Sequence, residues 1–177
     1  MSKILKFIWD AVESVTFAGA LFVVSYLFFF QVPEVKGMSS YPTLKENERL
    51  ILDKLTYRLE DPSRGDFVII YSPYDKNVDY VKRIAGLPGE KIKILNCKVY
   101  INGETLEENY LDKNVCTRGG NIIKENSEFL IANDDYVVMG DNRSQSSDSR
   151  NFGPIKRENI LGKIRFRIYP FDRINSF

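Results

Sequence analysis

The stretch Lys91-Ile-Lys-Ile-Leu-Asn-Cys-Lys-Val-Tyr-Ile-Asn-Gly103 decides the fold class. From Lys91 to Leu95 polar and aliphatic residues alternate, the period of a half-buried strand. Lys98 to Ile101 then runs into Asn102-Gly103, a dipeptide that tolerates the positive φ values of a tight hairpin. Working outward, Arg49-Leu-Ile-Leu-Asp53, Asp66-Phe-Val-Ile-Ile-Tyr71, Asp135-Tyr-Val-Val-Met139 and Gly162-Lys-Ile-Arg-Phe-Arg-Ile-Tyr169 are further short runs rich in aliphatic, β-branched and aromatic residues. Asp61-Pro62 and Arg64-Gly65-Asp66 supply turn chemistry between two of them. Many short strands at close spacing predict a mostly β domain of antiparallel strands. One short helical turn is expected near Lys156 to Ile160. The segment from residue 97 to about residue 132 is more polar and irregular, and reads as a small insertion on the main sheet.

The chain has 177 residues, 44% apolar and 28% charged, which is a globular composition. Its net charge of +1 argues against a nucleic-acid partner bound through counterion release. Cys97 and Cys116 have no histidine to join them, since the chain contains none, so the usual zinc sites are not expected. The two cysteines form a disulfide if this part of the chain lies in an oxidising compartment, and are free thiols otherwise.

No charged residue occurs between Glu13 and Glu34. As a helix at ~1.5 Å per residue, the 20 residues from Ser14 to Pro33 span about 30 Å, the thickness of a hydrocarbon layer. Thr16, Ser25, Tyr26 and Gln31 form no polar stripe, which argues against a buried core helix. A cleaved leader would have a shorter apolar region followed by small residues. Here Ala18-Gly19-Ala20 comes early and the run continues through Phe28-Phe29-Phe30, so an uncleaved anchor is expected. Lys3 and Lys6 place the N-terminus in the cytoplasm by the positive-inside rule. The expected organisation is a cytoplasmic segment at 1–13, a transmembrane anchor at 14–33 and an extracytoplasmic β domain at 34–177.

A hydrolase without histidine cannot run a serine-histidine-aspartate triad, and a deprotonated amine is the usual substitute base. Ser39 and Lys82 are considered for that chemistry, although the residues alone do not pair them and equally read as a loop serine and a surface lysine. Ser39 lies in Gly37-Met-Ser-Ser-Tyr-Pro-Thr-Leu44, and Lys82 lies in Asp79-Tyr-Val-Lys-Arg-Ile-Ala-Gly-Leu-Pro-Gly89. A lysine titrates at about 10.4 in water and lower by several units when buried. If Asp79 to Ile84 is a strand, Tyr80, Lys82 and Ile84 share one face, while Val81 and Arg83 take the other. Lys82 then stands among apolar neighbours, and Arg83 reaches solvent or an acidic partner.

The segments Val35-x-Gly-x-Ser39-x-x-Pro-Thr-Leu44, Arg64-Gly-Asp-Phe-Val68, Tyr80-Val-Lys-Arg-Ile-x-Gly-Leu-Pro-Gly89, Ile101-Asn-Gly103 and Met139-Gly-Asp-Asn-Arg-x-x-Ser-x-Asp-Ser-Arg-x-Phe-Gly153 occur in this order, before a final strand ending Tyr169-Pro170. The chain closely resembles the bacterial type I signal peptidases, in the short single-anchor form of Gram-positive bacteria, over nearly its whole length. The resemblance implies a signal-peptidase-like β catalytic domain after one N-terminal transmembrane helix. It implies Ser39 as nucleophile, Lys82 as general base, and Ser146 as the group that orients the lysine amine. Asp148 and Arg150, with Arg143, would form a buried ionic support, and the Ser39 backbone N–H would donate to the oxyanion. Ser40, Tyr41 and Pro42 fall at the substrate pocket. The implied activity is removal of signal peptides after Ala-x-Ala-like sites from exported preproteins at the cell membrane, in contact with phospholipid and the secretion translocon. No cofactor or metal is implied. Ser39 follows Glu34 by only five residues, so it lies within about 17 Å of the anchor's end even when fully extended.

One residue departs from the pattern. The family usually has methionine after the nucleophilic serine, where it helps line the pocket, and this chain has Ser40. A specialised or non-catalytic paralogue that assists pilin or other surface-protein assembly is therefore the alternative reading. A self-cleaving repressor, which shares serine-lysine chemistry, is disfavoured by the membrane segment.

Overall fold

The computed structural model describes residues 2–75 and 77–177. A first helix, α1 (Lys3–Phe29), is capped by Ser2, whose hydroxyl accepts the Leu5 N–H at 3.3 Å. Its 27 residues reach about 40 Å. Phe7, Trp9, Val15, Phe17 and Phe22 all stand exposed on it. Ser14 and Thr16 turn their hydroxyls back onto the carbonyls of Asp10 and Val12, at 2.8 and 2.7 Å. Their polar groups are thereby satisfied within the helix, as an apolar surrounding requires. Among the described residues this is the one helix long and apolar enough to cross a membrane.

The apolar run outlasts the helix. Phe30 and Gln31 leave it as strand β1 (Phe30–Gln31), which pairs with β2 (Arg49–Asp53) through Phe30 opposite Asp53. The helix therefore ends four residues ahead of Pro33, where the anchor was expected to end, because pairing to a sheet edge captures Phe30 and Gln31. After β2 and a short helix, α2 (Thr56–Leu59), come β3 (Phe67–Tyr71) and β4 (Asp79–Gly86). A hairpin series follows: β5 (Lys91–Leu95), β6 (Lys98–Ile101) and β7 (Glu104–Thr105). Then come β8 (Glu128–Leu130), β9 (Asp135–Met139), helix α3 (Ser149–Phe152), β10 (Ile155–Lys156), β11 (Ile160–Tyr169) and β12 (Asn175–Ser176). A 3-10 turn at Arg157–Asn159 occupies the place where a helical turn was expected.

The strands form two antiparallel sheets. The larger runs β1-β2-β11-β3-β4-β9-β10, with β12 also paired to β11, and the smaller runs β7-β6-β5-β8. The smaller sheet includes β5, so the second structural unit begins ahead of Cys97. Two two-residue turns at positive φ, Asn96-Cys97 and Asn102-Gly103, fold its hairpins. The Asn-Gly turn was legible in sequence. The Asn96-Cys97 turn was not marked there, and it is tied to the insertion by a disulfide between Cys97 and Cys116.

Alternation explains why the central strands look uniformly apolar. On β3, Phe67 and Ile69 join a core with Val35, Leu44, Leu50, Leu52 and Ile164, whereas Val68 and Ile70 join Ile84, Tyr136 and Val138. On β9, Val137 and Met139 pack instead with Ile92, Ile94, Val99 and Ile131 of the second sheet. The middle strands thus bury both faces, and each side chain there enters a closed environment. At Gly162 on β11 an added Cβ would stand 2.4 Å from the Asp53 carbonyl oxygen of β2. Gly162→Ala is expected to destabilise the domain by about 1–3 kcal/mol through overpacking. An unchanged urea midpoint would contradict that close approach.

Candidate active site

Ser39 lies on a turn pinned at both ends. Val35 is buried and exchanges backbone hydrogen bonds with Glu48 (2.8 Å) and Asn47 (2.9 Å), and Leu44 is wholly buried. Between them Gly37 takes φ +78°, a conformation that favours glycine, and the Tyr41–Pro42 peptide is cis. The loop after β9 holds the turn from the other side. Asn142 donates its backbone N–H to the Ser39 carbonyl at 3.0 Å and its side-chain amide to the Met38 carbonyl at 3.1 Å. Gly140 permits this approach. A Cβ there would stand 2.4 Å from the Ser39 carbonyl oxygen and 2.3 Å from Ser146 Oγ, so these two atoms flank one point. Ser39 itself is half-buried.

Lys82 enters from the sheet. It pairs with Val68 of β3 in register, and its neighbour Arg83 pairs with Met139 of β9. The expected alternation holds: Tyr80 and Ile84 belong to the same core as Val68, while Val81 and Arg83 turn away from it. Lys82 is 2% exposed. Its ammonium has no ion pair or hydrogen bond among the described residues, and its near polar contact is the Tyr80 ring face at 5.1 Å. Burial pulls its pKa down to about 8; the negative charge of Asp148 opposes this and the Arg150 guanidinium assists it. Ser40 is also 2% exposed, and its hydroxyl donates to the Val81 carbonyl at 3.2 Å.

Behind the lysine, Asp148 is wholly buried and caps α3. It accepts from Arg150 Nε and Nη2, both at 2.8 Å, and from the Gly140 N–H at 3.0 Å. Burial alone would raise its pKa, but the Arg150 hydrogen bonds and charge, the Gly140 N–H and the nearby Ser146 hydroxyl together hold it below the usual carboxylate range. Asp148 therefore stays ionised and already paired, and does not capture the Lys82 proton.

Arg143 departs from the expected arrangement. It touches this pair only through its carbonyl, which accepts from Arg150 at 2.7 Å. Its guanidinium turns to Gly140 O at 3.1 Å, to Thr117, and to the carboxylate of Glu108, with which it makes an ion pair. A second buried pair links Arg83 Nε and Nη2 to Asp141 at 3.0 and 2.9 Å. The Arg83 guanidinium lies between the rings of Phe67 and Tyr110, 3.8 and 3.9 Å from their centroids. Sequence reasoning missed Glu108, Tyr110 and Asp141 as site residues. Asp141 lay inside the recognised motif, whereas Glu108 and Tyr110 lie in the irregular insertion and gave no signal.

An open cleft of about 840 Å³ lies beside the site, reaching it through Tyr41, Pro42 and Ser146, while Ser39 and Lys82 are not among the residues that line it. Tyr41 and Pro42 line one side, the strap from Asp112 to Gly119 lines another, and Ser146 and Arg150 contribute between them. Of the three expected pocket residues, Tyr41 and Pro42 border this cleft and Ser40 does not. Ser146 Oγ is buried without a hydrogen-bond partner among the described residues. No hydrogen bond joins Ser39 Oγ, Ser146 Oγ and Lys82 Nζ to one another, although the fold brings all three residues to this region. Among the described residues no cluster of three or more His, Cys, Asp or Glu side chains is placed to hold a metal ion.

The family model described as signal peptidase, peptidase S26, matches residues 8–169. Probable signal peptidase I-2 of Synechocystis sp. is 37% identical over 146 residues, which cover 79% of this chain and 63% of that protein. Signal peptidase IB of Staphylococcus aureus (strain COL) is 33% identical over 177 residues, covering 94% of this chain and 92% of that protein. The crystal structure of a signal peptidase I from Enterococcus faecalis V583 is 30% identical, covers 59% of this chain and 97% of its own, and superposes with a TM-score of 0.47. The class these relatives define is that of the serine peptidases, here with a β domain behind an apolar helix. Within that class, the chain belongs to the signal peptidase family, peptidase S26.

The Arg83–Asp141 pair provides a test of the site's framework. Asp141→Asn leaves a buried guanidinium without its carboxylate and is expected to cost about 3–5 kcal/mol. Adding Arg83→Met should recover part of that loss, measured by urea unfolding of both variants. Equal stability of Asp141→Asn and wild type would show that the pair is solvated in solution.

Proposed function

We propose that this peptidase removes N-terminal signal peptides from exported preproteins after Ala-x-Ala-like sites, with Ser39 as nucleophile and Lys82 as general base. The observation that carries the reading is Lys82: a buried amine that forms no ion pair among the described residues, with its pKa drawn to about 8. Such an amine is substantially deprotonated in mildly alkaline conditions and can accept a proton. In the proposed sequence, Lys82 Nζ takes the Ser39 hydroxyl proton as Oγ bonds to the carbonyl carbon before the scissile bond. The Ser39 N–H donates to the resulting oxyanion. The C–N bond then breaks, and the Lys82 ammonium returns its proton to the leaving amine. Water, deprotonated by Lys82, hydrolyses the acyl ester and restores Ser39.

Ser146 Oγ, buried and without another partner, is suited to hold the lysine amine. Asp148 and Arg150, with the Arg143 carbonyl, keep that wall rigid. Ser40 spends its hydroxyl on the Val81 carbonyl, which favours Ser39 as nucleophile. Tyr41 and Pro42 suit contact with substrate at the cleft. The disulfide fits a domain held outside the cytoplasm, with residues 1–13 inside, the membrane crossed within α1, and phospholipid and the translocon as neighbours. The narrower reading, a specialised or non-catalytic relative serving pilin or surface-protein assembly, is favoured only by Ser40 standing in place of methionine.

Cleavage of a preprotein with an Ala-x-Ala site, in detergent and phospholipid, tests the reading. Wild type should cut at that site and Ser39→Ala should not. Cleavage that survives Ser39→Ala would remove Ser39 from its role, and inert wild type would favour the narrower reading.

The rate should also follow the lysine. Because the active form is the free amine, kcat/KM is expected to rise through about pH 8 and fall below it. A flat profile would contradict the assignment. Lys82→Met should abolish cleavage and stabilise the fold. A lysine lowered from 10.5 to about 8 destabilises the native state at neutral pH, on the order of 3 kcal/mol. That penalty is full below the folded pKa and vanishes as pH rises to the unfolded value. Unfolding midpoints of wild type and Lys82→Met should therefore converge at alkaline pH, and a constant difference would show that the lysine is not desolvated.

A further inference from the structure

Five charged side chains line the cleft: Asp112, Arg118, Asp141, Arg143 and Arg150. Three are committed elsewhere. Asp141 pairs with Arg83, Arg143 with Glu108, and Arg150 with Asp148. Asp112 and Arg118 remain, both exposed, and neither forms an ion pair among the described residues. The Asp112 carboxylate accepts only a long bond from the Asn114 N–H at 3.5 Å, and the Arg118 guanidinium makes no hydrogen bond, among the described residues.

These free charges sit on a fixed wall. The Arg118 carbonyl accepts from Arg150 at 3.3 Å, the Gly119 N–H donates to Glu125 at 2.8 Å, and Cys116 is tied to Cys97. The chain that leads into the strap is fastened through Glu108 to Arg143 and through Tyr110 to Arg83. Two opposite charges are thus presented to whatever chain lies in the cleft, without a local partner to quench either.

Close to the scissile bond, the substrate brings its own charges on one side only. Between its basic N-terminal region, which lies upstream of a long apolar run, and its small-residue cleavage site a signal peptide carries no characteristic charge, so charges that enter the cleft near the scissile bond arrive with the chain after it. We infer that Asp112 and Arg118 are specificity-determining residues that read the charge of the first residues of the mature protein. Arg118 favours an acidic residue in its reach, Asp112 favours a basic one, and each disfavours its own sign. This rests on the peptidase reading above. Exposed pairs of this kind are weak, so the expected preference is about twofold to fivefold in kcat/KM and fades as salt shortens the screening length.

The test uses the full-length protein in detergent and phospholipid. The substrates are signal peptides with an Ala-x-Ala site and a neutral mature segment, and copies carrying one Asp or one Lys at each of the first few positions after the bond. Wild type should prefer one sign at particular positions. Arg118→Gln should lower the acidic-to-neutral ratio of kcat/KM, Asp112→Asn should lower the basic-to-neutral ratio, and Arg118→Glu should invert the preference at its position. High salt should flatten all of these ratios. Cleavage of the neutral peptide with ratios that are charge-blind, or that no substitution moves, would overturn the inference alone. Ratios that shift in the variants but resist high salt would also overturn it, since the cause would then be shape. If wild type cleaves no peptide, the peptidase reading falls and this inference with it.

Discussion

Keeping the Lys82 amine away from water, without giving it a counter-ion, is the constraint on which the rest of this structure depends. An isolated buried ammonium is strongly disfavoured, and proteins usually answer with a carboxylate or with deprotonation. Here the carboxylate whose charge acts on Lys82, Asp148, is already hydrogen-bonded by Arg150 and the Gly140 N–H. The arginine therefore acts twice. It keeps Asp148 ionised, and it adds a positive charge that disfavours a proton on the lysine. A simple Lys82–Asp148 ion pair would have been easier to fold and would have held the amine protonated.

Such an environment demands a sheet closed on both faces. Strands β3, β4 and β9 are covered by separate apolar clusters on either side, so a side chain leaving β4 in either direction meets protein. The two orientations are used differently. Lys82 enters an apolar face unpaired, and Arg83 enters the opposite face with full compensation from Asp141, Gly65 and two aromatic rings. One residue of register separates a buried amine left unpaired from a guanidinium that is fully compensated. A slip of the strand by one position would exchange them.

The strands were legible because period-two alternation and turn residues are local signals. Arg49–Asp53, Lys91–Leu95 and Asp135–Met139 fall where the pattern placed them. Helices α2 and α3 were not legible, since a four-residue helix has too few turns to show periodicity. The end of α1 was misplaced because Phe30 and Gln31 continue an apolar run, and only the distant β2 reveals them as a strand. The face on which Lys82 lies followed from alternation, but its association with Ser39, Ser146 and Asp148 came from resemblance. No local pattern predicts contacts between residues so far apart. Glu108 and Arg143 show the same limit: their ion pair bridges an irregular strap to a loop, and nothing in either segment announces the other.

The direct passage of α1 into β1 sets a mechanical relation. No tether separates the long helix from the sheet: Phe30 pairs with Asp53, and the Lys54 N–H donates to the Phe29 carbonyl at 3.0 Å. From the same sheet, Glu34 bridges to Arg49, so the chain between the helix and the Ser39 turn is also fastened. The end of the helix and the Ser39 turn are therefore fastened to one sheet edge. Under the function proposed above, a chain presented to Ser39 would be gauged by how far its bond stands from the helix as well as by its side chains, in the manner of a ruler rather than a leash.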